Sequence, residues 1–315
     1  MKDGCGREIN YLRLSVTDLC DLRCIYCMPE SGVKKLDHTS ILSVEEIEEI
    51  VRTAAGLGIT KVRLTGGEPL VRRGIDEIVR RVAGTPGIEE VALTTNGTLL
   101  PEKAEMLKAA GVGRVNISLD TLDPDEYRFI TRTGNLADAL RGIDAALDAG
   151  LTPVKINAVL MGGVNDDQIE PLIELTKREN IHVRFIEIMP IGECAGWNKA
   201  RFIGLGEVTK RVPELRPVGT EGVAELYRKD GYPGTVGLIH PISSHFCPDC
   251  NRVRITPDGT MKPCLHSSGE IPLKGLHGAE LAAAMRGGIF GKPMRHYLEG
   301  GASSDSVRNM NAIGG

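Results

Sequence analysis

Six short segments within the first 190 residues alternate between hydrophobic and polar side chains. A period of two is typical of β-strands, because successive side chains point to opposite faces of a sheet. In the first segment, for example, Leu12 and Leu14 alternate with Arg13. We predict strands at residues 10–16, 60–65, 90–95, 113–119, 153–159 and 182–188.

Longer segments with apolar residues at helical spacing separate these strands. We predict helices at residues 44–57, 72–83, 101–110, 137–149 and 166–178, several of them closed by glycine. A regular alternation of strand and helix is typical of repeated βα units around a parallel sheet. The chain is therefore expected to have an α/β fold.

The polar face of the strands restricts the architecture further. A parallel sheet covered by helices on both faces has strands that are apolar almost throughout, whereas these strands carry Arg13, Arg63, Lys155 and Arg184 on one face. An open sheet with that face in water is one alternative, but parallel sheets rarely leave a face exposed. We therefore predict an incomplete (β/α)6 barrel with helices outside and a polar interior.

The remainder of the chain lacks this regular alternation. Residues 191–235 show little periodicity and are expected to connect the barrel of residues 1–190 to a C-terminal region of residues 236–315. In that region, residues 236–243 and 251–265 have strand-like patterns, and Pro-Asp-Gly at 257–259 indicates a turn.

Composition and charge exclude several classes of protein. The chain has 315 residues, of which 41% are hydrophobic, so it can bury a full core. Its formal net charge of -4 gives no basic excess for binding nucleic acid or a membrane surface. No apolar run reaches the length of about 18 residues that a membrane span needs, and no signal peptide is evident, so we expect a cytoplasmic protein.

The eight cysteines fall into two groups of three, with Cys5 and Cys194 in neither. In a reducing compartment they are better explained as metal ligands than as disulfides. The first group, Cys20, Cys24 and Cys27, directly follows the first strand. Three thiolates this close can hold a four-iron cluster and leave one iron open. Zinc is the alternative, although zinc motifs usually pair two close ligands with two distant ones.

This first group resembles the signature of the radical S-adenosylmethionine (SAM) superfamily. The spacing Cys-x3-Cys-x2-Cys, with Tyr26 before the last cysteine, is the superfamily's cluster motif, and Gly-Gly-Glu-Pro at 66–69 is similar to its SAM-binding segment. The resemblance implies a [4Fe-4S] cluster and SAM contacts from Tyr26, Gly67, Ser118 and Met189. Without the resemblance, Ser118 would be a polar lining residue and Met189 a core residue.

The second group, Cys247, Cys250 and Cys264, also supplies three ligands. A zinc ribbon completed by His245 or His266 is the alternative. The second cysteine of the group, Cys250, is followed by Asn-Arg-x-Arg at 251–254, and the chain ends in two glycines. With the first motif, these features resemble the GTP 3′,8-cyclases of molybdenum cofactor (molybdopterin) biosynthesis, over essentially the whole chain.

This second resemblance implies a lyase that converts GTP to a 3′,8-cyclised dihydro-GTP. A 5′-deoxyadenosyl radical would remove the ribose C3′ hydrogen, the carbon radical would attack guanine C8, and a second [4Fe-4S] cluster would contact the base. Gly314 and Gly315 would reach the active site and be required for turnover. Arg184 is added to the implied GTP contacts from the strand pattern, and we expect Arg252 and Arg254 to close the barrel mouth. The implied contacts are Arg13, Arg63, Thr94, Lys155, Arg252, Val253 and Arg254.

The resemblance also implies partners, namely a low-potential electron donor and a downstream cyclic pyranopterin monophosphate synthase. Neither nucleic acid nor membrane is expected as a partner, and the protein is expected to be a monomer or homodimer. A radical SAM peptide maturase with an auxiliary cluster is the alternative enzyme, but maturases generally carry more cysteines. A non-catalytic carrier of two clusters would leave Gly-Gly-Glu-Pro and the interior arginines without a purpose.

Overall fold

The computed structural model describes residues 1–33, 36–296, 298, 304–306 and 308–314. All six strands predicted in the first 190 residues are present, and they pair side by side, all parallel, in chain order. They are β1 (Tyr11–Ser15), β2 (Lys61–Thr65), β3 (Glu90–Thr95), β4 (Arg114–Ser118), β5 (Val154–Leu160) and β6 (Ile181–Glu187).

Helices connect successive strands, as predicted, with one addition and one shortening. The connecting helices are α1 (Val44–Gly56), α2 (Ile75–Ala83), α3 (Leu100–Ala110), α4 (Pro124–Thr131), α5 (Leu136–Asp148) and α6 (Ile169–Glu174). The sequence prediction missed α4, although Asp123 caps it by accepting from the Glu126 N–H at 2.8 Å, directly before a proline at the first helical position. The predicted helix at 166–178 is α only over α6, with 3-10 turns on both sides.

The two faces of the sheet separate apolar from polar residues as predicted. Leu12, Leu14 and their counterparts pack with the helices in one hydrophobic core. On the other face, Arg63 and Lys155 are each only 3% exposed, so this face does not lie in water. The alternative of an open sheet with a solvated polar face is therefore wrong.

The C-terminal half extends the sheet at both edges, and the described residues form twelve strands in an open order. The strands added beyond β6 are β9 (Val236–Ile239), β8 (Ala224–Arg228) and β7 (Arg216–Glu221), and those added beyond β1 are β10 (Arg252–Ile255), β11 (Thr260–Lys262) and β12 (Ile271–Pro272). The described helices of this half are α7 (Gly206–Arg211), α8 (Gly278–Phe290) and α9 (Met310–Ile313). The expected connector at 191–235 thus contains a helix and a hairpin, and the division into domains stays a prediction.

Residues 240–251 join the two strands, β9 and β10, that flank the six-stranded barrel. β9 runs parallel to β6, and β10 runs parallel to β1, so this segment starts at the carboxyl end of the barrel strands and reaches their amino end. The Glu187 carboxylate, at the end of β6, accepts from the N–H groups of Ile242 and Ser243 at 3.1 and 3.0 Å. Farther along, the Cys247 carbonyl accepts from Arg7 at 2.8 Å, just before β1.

Among the helices that the structure describes, none is long and apolar enough to cross a membrane.

Candidate active site

The first cysteine triad lies in the loop that follows β1, at the carboxyl end of the sheet. Burial raises the pKa of Cys24 well above its ordinary value, and the neighbouring Cys27 raises it further. Burial likewise raises the pKa of Cys27 to about 12. All three thiols, including Cys20, are free. Half-buried thiols in one loop become thiolates beside positive charge, which iron supplies, so this donor set suits an iron-sulfur cluster.

The Gly-Gly-Glu-Pro segment packs directly against this loop. A Cβ atom on Gly66 would collide with the Thr17 carbonyl oxygen, and one on Gly67 with that of Leu19. The Glu68 N–H then donates to the Leu19 carbonyl at 2.8 Å. Both glycines are therefore required for the close approach of the two backbones.

The side chain of Glu68 is buried, and it joins its own turn to the end of β3. Its carboxylate accepts from the Leu70 N–H at 2.9 Å, the Thr95 hydroxyl at 2.8 Å and the Asn96 N–H at 2.7 Å. Burial raises the pKa of Glu68 to about 7, although these hydrogen bonds oppose the rise. The Asn96 amide donates in turn to Asp21 in the cysteine loop at 2.7 Å, so Glu68 positions that loop through Asn96.

Asp120 is a second anchor of the cysteine loop, and sequence reasoning gave it no role. The Tyr26 hydroxyl donates to Asp120 at 2.8 Å, and the Val159 N–H donates to its other oxygen at 2.8 Å. Burial raises the pKa of Asp120 to about 6, against the effect of these two donors. Its position two residues beyond Ser118, just after β4, was a signal that could have identified it.

The four residues expected to contact SAM lie together at the carboxyl ends of the barrel strands. Ser118 ends β4 and Met189 follows β6, both half-buried at the carboxyl ends of their strands. At that same end, Tyr26 lies in the cysteine loop and Gly67 packs against the loop. The structure thus gathers them beside the first triad, and their role in SAM binding stays a prediction.

The second triad lies at the opposite end of the strands. Cys247 and Cys250 directly precede β10, whose Arg252 pairs with Tyr11 at the start of β1. Burial raises the pKa of Cys247, and Cys264 and Cys250 raise it further. Burial opposes ionisation of Cys250 as well, but Lys292 and Arg252 lower its pKa. Cys247 is therefore near enough to both other thiols for their charges to affect its ionisation.

The histidines considered as zinc ligands pack together beside this triad. The His245 and His266 rings both contact His296, with centroid distances of 4.5 and 4.8 Å. Within the described ranges of the chain, no three Cys, His, Asp or Glu side chains are grouped as ligands of a single metal ion.

Arginines line the interior between the two triads. Arg13 on β1 pairs in register with Arg254 on β10 and with Arg63 on β2. The expectation that Arg252 and Arg254 close the barrel mouth is therefore wrong, because β10 is itself part of the barrel wall. Arg63 donates to the Tyr11 hydroxyl and, at 3.3 Å, to Thr94. Although Tyr11 is buried, Arg63 and Arg13 lower its pKa to about 8.

Several buried polar atoms in this interior have no partner among the described residues. They are Arg13 Nε, Arg252 Nε, Asn116 Oδ1 and Asn157 Oδ1. Buried polar atoms are nearly always hydrogen-bonded in native proteins. The two unpaired donors suit an anionic group, and the two unpaired acceptors suit N–H or O–H groups. A nucleotide offers both.

The remaining predicted GTP contacts differ in position. Lys155 and Arg184 lie on β5 and β6, where both form ion pairs with Glu221 from the β7–β8 hairpin. Val253 pairs with Leu12 and is buried in the hydrophobic core, so its side chain lies away from the interior. Sequence reasoning missed Glu221, because nothing in the local pattern links residue 221 to either cation.

The C-terminal tail enters the barrel. The Gly314 carbonyl accepts from Arg254 at 2.5 Å, and a Cβ atom there would lie 2.6 Å from the Thr65 methyl group. Its φ of 87° also favours glycine. Arg308 holds the start of this segment through ion pairs with Glu270 at 2.8 Å and Asp258 at 2.9 Å. Gly315 lies outside the described residues.

The two cysteines outside the triads are placed differently. Cys5 is exposed, whereas Cys194 is buried and its thiol donates to the Tyr26 carbonyl at 3.2 Å. Cys194 therefore supports the first cysteine loop.

Solved structures with a similar fold are radical SAM enzymes. Streptococcus suis SuiB bound to S-adenosylmethionine aligns with a TM-score of 0.63 and 17% identity, over 89% of this chain and 68% of SuiB. The radical SAM enzyme HemN of Escherichia coli, a coproporphyrinogen III oxidase, aligns with a TM-score of 0.50 and 12% identity, over 82% of this chain and 66% of HemN. At such identities the likeness is one of fold.

Family comparisons agree with this fold. The radical SAM superfamily model matches residues 14–176, and a model described as Molybdenum Cofactor Synthesis C matches residues 181–298. Fold, cysteine loop and domain match together define a radical SAM protein. The GTP 3′,8-cyclases of Alkaliphilus oremlandii and Moorella thermoacetica are 52% and 48% identical over 320 and 326 residues, covering both chains completely. The chain therefore belongs to the GTP 3′,8-cyclase family.

Proposed function

We propose that this protein is a radical SAM lyase that converts GTP to 3′,8-cyclised dihydro-GTP in molybdenum cofactor biosynthesis. The observation that carries the proposal is the pair of cysteine triads at opposite ends of one barrel interior, with arginines between them. Family membership supports the same reaction. The alternative of a peptide maturase is not favoured, because relatives that match this chain over its whole length are GTP 3′,8-cyclases.

Each triad has its own cofactor task. Cys20, Cys24 and Cys27 would hold the first [4Fe-4S] cluster, which with bound SAM would supply the 5′-deoxyadenosyl radical for removal of the ribose C3′ hydrogen. Cys247, Cys250 and Cys264 would hold the second [4Fe-4S] cluster, which would supply an open iron for the guanine base. Tyr26, Gly67, Ser118 and Met189 position SAM beside the first triad.

The interior side chains bind the nucleotide between the two triads. A triphosphate carries about four negative charges at neutral pH and is well matched by bidentate arginine. Mutual repulsion and burial of the unpaired cations make the site unfavourable until an anion joins them, and both depress the pKa of Arg13. We assign GTP binding to Arg13, Arg63, Thr94, Lys155, Arg184, Arg252 and Arg254, and to the backbone of Val253.

The tail glycines act at the same site. Gly314 contacts Arg254 inside the barrel, so its backbone is placed to orient that arginine toward the substrate. We assign Gly314 and the following Gly315 a part in turnover. The further proposals are a cytoplasmic location, a low-potential electron donor, a downstream cyclic pyranopterin monophosphate synthase, and a monomeric or homodimeric state.

Anaerobic incubation of the reconstituted protein with SAM, dithionite and GTP tests this function. We expect 5′-deoxyadenosine together with a cyclised nucleotide, because the radical acts on the bound substrate. Omitting GTP serves as the control and should suppress coupled cleavage. Cleavage of SAM with no nucleotide product under any condition would remove GTP as the substrate.

The two cysteine triads predict the iron content of the protein. Protein purified without oxygen should contain about eight irons per chain, as two four-iron clusters require. Iron and zinc are measured together by mass spectrometry, with apoprotein as the blank. Stoichiometric zinc in place of iron would contradict both cluster assignments.

Nucleotide affinity should depend on the interior arginines. Replacing Arg63 or Arg252 with alanine is expected to weaken GTP binding by about 1.5 to 3 kcal/mol, the contribution of a charged hydrogen bond. Calorimetry under argon measures the effect. Arg80→Ala, which removes an exposed arginine on α2, is the matched control and should bind GTP normally. Unchanged binding in both interior variants would place the nucleotide elsewhere.

A further inference from the structure

The β7–β8 hairpin places a carboxylate beside two of the interior cations. Glu221 is the last residue of β7 and directly precedes Gly222, whose φ is 60°. One of its oxygens accepts from Arg184 at 2.7 Å, and the other accepts from Lys155. A single carboxylate is thus divided between cations on two neighbouring strands.

The three side chains of these ion pairs differ in their exposure to solvent. The Lys155 and Arg184 side chains are 3% and 14% exposed in the barrel wall, whereas the Glu221 side chain is 51% exposed. Every residue of β7 is exposed, and β7 is the last strand of its edge, paired with β8. Their register is also interrupted between Pro217 and Gly219. An exposed edge strand opens at lower cost than the buried strands do.

The positive charges of Lys155 and Arg184 explain why a carboxylate lies beside them. Burial and the nearby Arg184 together lower the pKa of Lys155 to about 8, although Glu221 offsets part of their effect. Two cations in a buried wall are costly without a counter-charge. A substrate phosphate group would supply that charge, but the donors that Glu221 occupies cannot serve both anions at full strength.

We propose that Glu221 is a displaceable substitute for the phosphate groups of the nucleotide, and that it thereby selects ligands by their charge. The proposal rests on the proposed function, since GTP is the anion that replaces it. The phosphate groups of a triphosphate replace Glu221 in both ion pairs, whereas a nucleoside has no phosphate and leaves the two ion pairs intact. The phosphates accordingly lie beside β5 and β6, and the base lies toward β10 and the second triad.

The test is the affinity of Glu221→Gln for GTP and for guanosine, measured by calorimetry on the anaerobic holoprotein at pH 6.5, below the pKa of Lys155. We expect GTP to bind about tenfold more tightly than to the parent, because one charge-assisted interaction no longer has to be broken. Guanosine affinity should stay within about twofold of the parent value, since no phosphate competes. Iron content and circular dichroism verify that the variant is folded.

Glu225→Gln is the matched control, because Glu225 lies on the same hairpin with the same 51% exposure and lacks the two cations as partners. It should bind both ligands as the parent does. Equal or weaker GTP binding by Glu221→Gln would overturn the proposal, as would an equal gain for guanosine.

A second measurement uses hydrogen exchange of residues 216–222, which include the edge strand β7. GTP should accelerate exchange there in the parent protein, because β7 loses the ion pairs of Glu221, and guanosine should not. Slower exchange with GTP would show that Glu221 keeps its cations and would also overturn the proposal.

Lys155→Met separates this proposal from the function on which it rests. Weaker GTP binding by Lys155→Met with no gain in Glu221→Gln would refute the role of Glu221 alone. Unchanged GTP binding in both variants would refute the phosphate site itself.

Discussion

Replacing Cys24 with serine is expected to abolish cleavage of SAM and, with it, formation of the cyclised nucleotide. Cys24 lies in the loop that Gly67, Glu68 and Tyr26 hold in place, and a serine hydroxyl is a poor substitute for an iron-ligating thiolate. The measurement is quantification of 5′-deoxyadenosine and nucleotide product after anaerobic reaction with dithionite.

Cys5→Ser is the control for this experiment, because Cys5 is exposed and belongs to neither triad. It should retain both products at the parental level. Substantial 5′-deoxyadenosine from the Cys24→Ser protein would contradict the assignment of the first triad.

Replacing Cys264 with serine should instead separate the two products. Cys264 belongs to the triad at the amino end of β1, away from the cysteine loop, so SAM is still cleaved slowly and without coupling. The cyclised nucleotide should fall by at least about a hundredfold, since even a 1 Å misplacement of a substrate can cost that much. Both products are quantified in the same reaction mixture.

Cys24→Ser is the comparison for this variant, because it should lose both products, whereas Cys264→Ser should still cleave SAM. A Cys264→Ser protein that forms cyclised product at the parental rate would make the second triad structural only, and the substrate assignment would lose its main support. Iron analysis of the same sample shows whether the first cluster is retained.

Local sequence patterns were sufficient for the barrel because its strands repeat one arrangement. Alternation in β1 to β6 predicted both the strands and the polar interior, since the period of two assigns each side chain to a face. The cysteine spacings identified both triads for a related reason, because ligands of one cluster are close in sequence. Arg13, Arg63 and Lys155 were assigned to the interior on the same grounds.

Long-range pairings could not be predicted in this way. β7 is exposed along its whole length and has no buried face, so no alternation marks it. The contacts of Glu221 with Lys155 and of Arg308 with Asp258 join residues 66 and 50 positions apart. The position of β10 beside β1 likewise depends on strand order, and this is why the arginines of β10 were expected at the mouth and are found in the wall.

The segment that joins β9 to β10 limits how wide the partial barrel can open. Glu187, at the end of β6, fixes Ser243, and Arg7, just before β1, fixes Cys247. The four residue steps between these anchors span at most about 14 Å. The first and last strands of the six-stranded barrel are therefore tethered to each other by a short stretch of backbone. A separation of the two anchor points beyond that length would first have to break one of the two anchors.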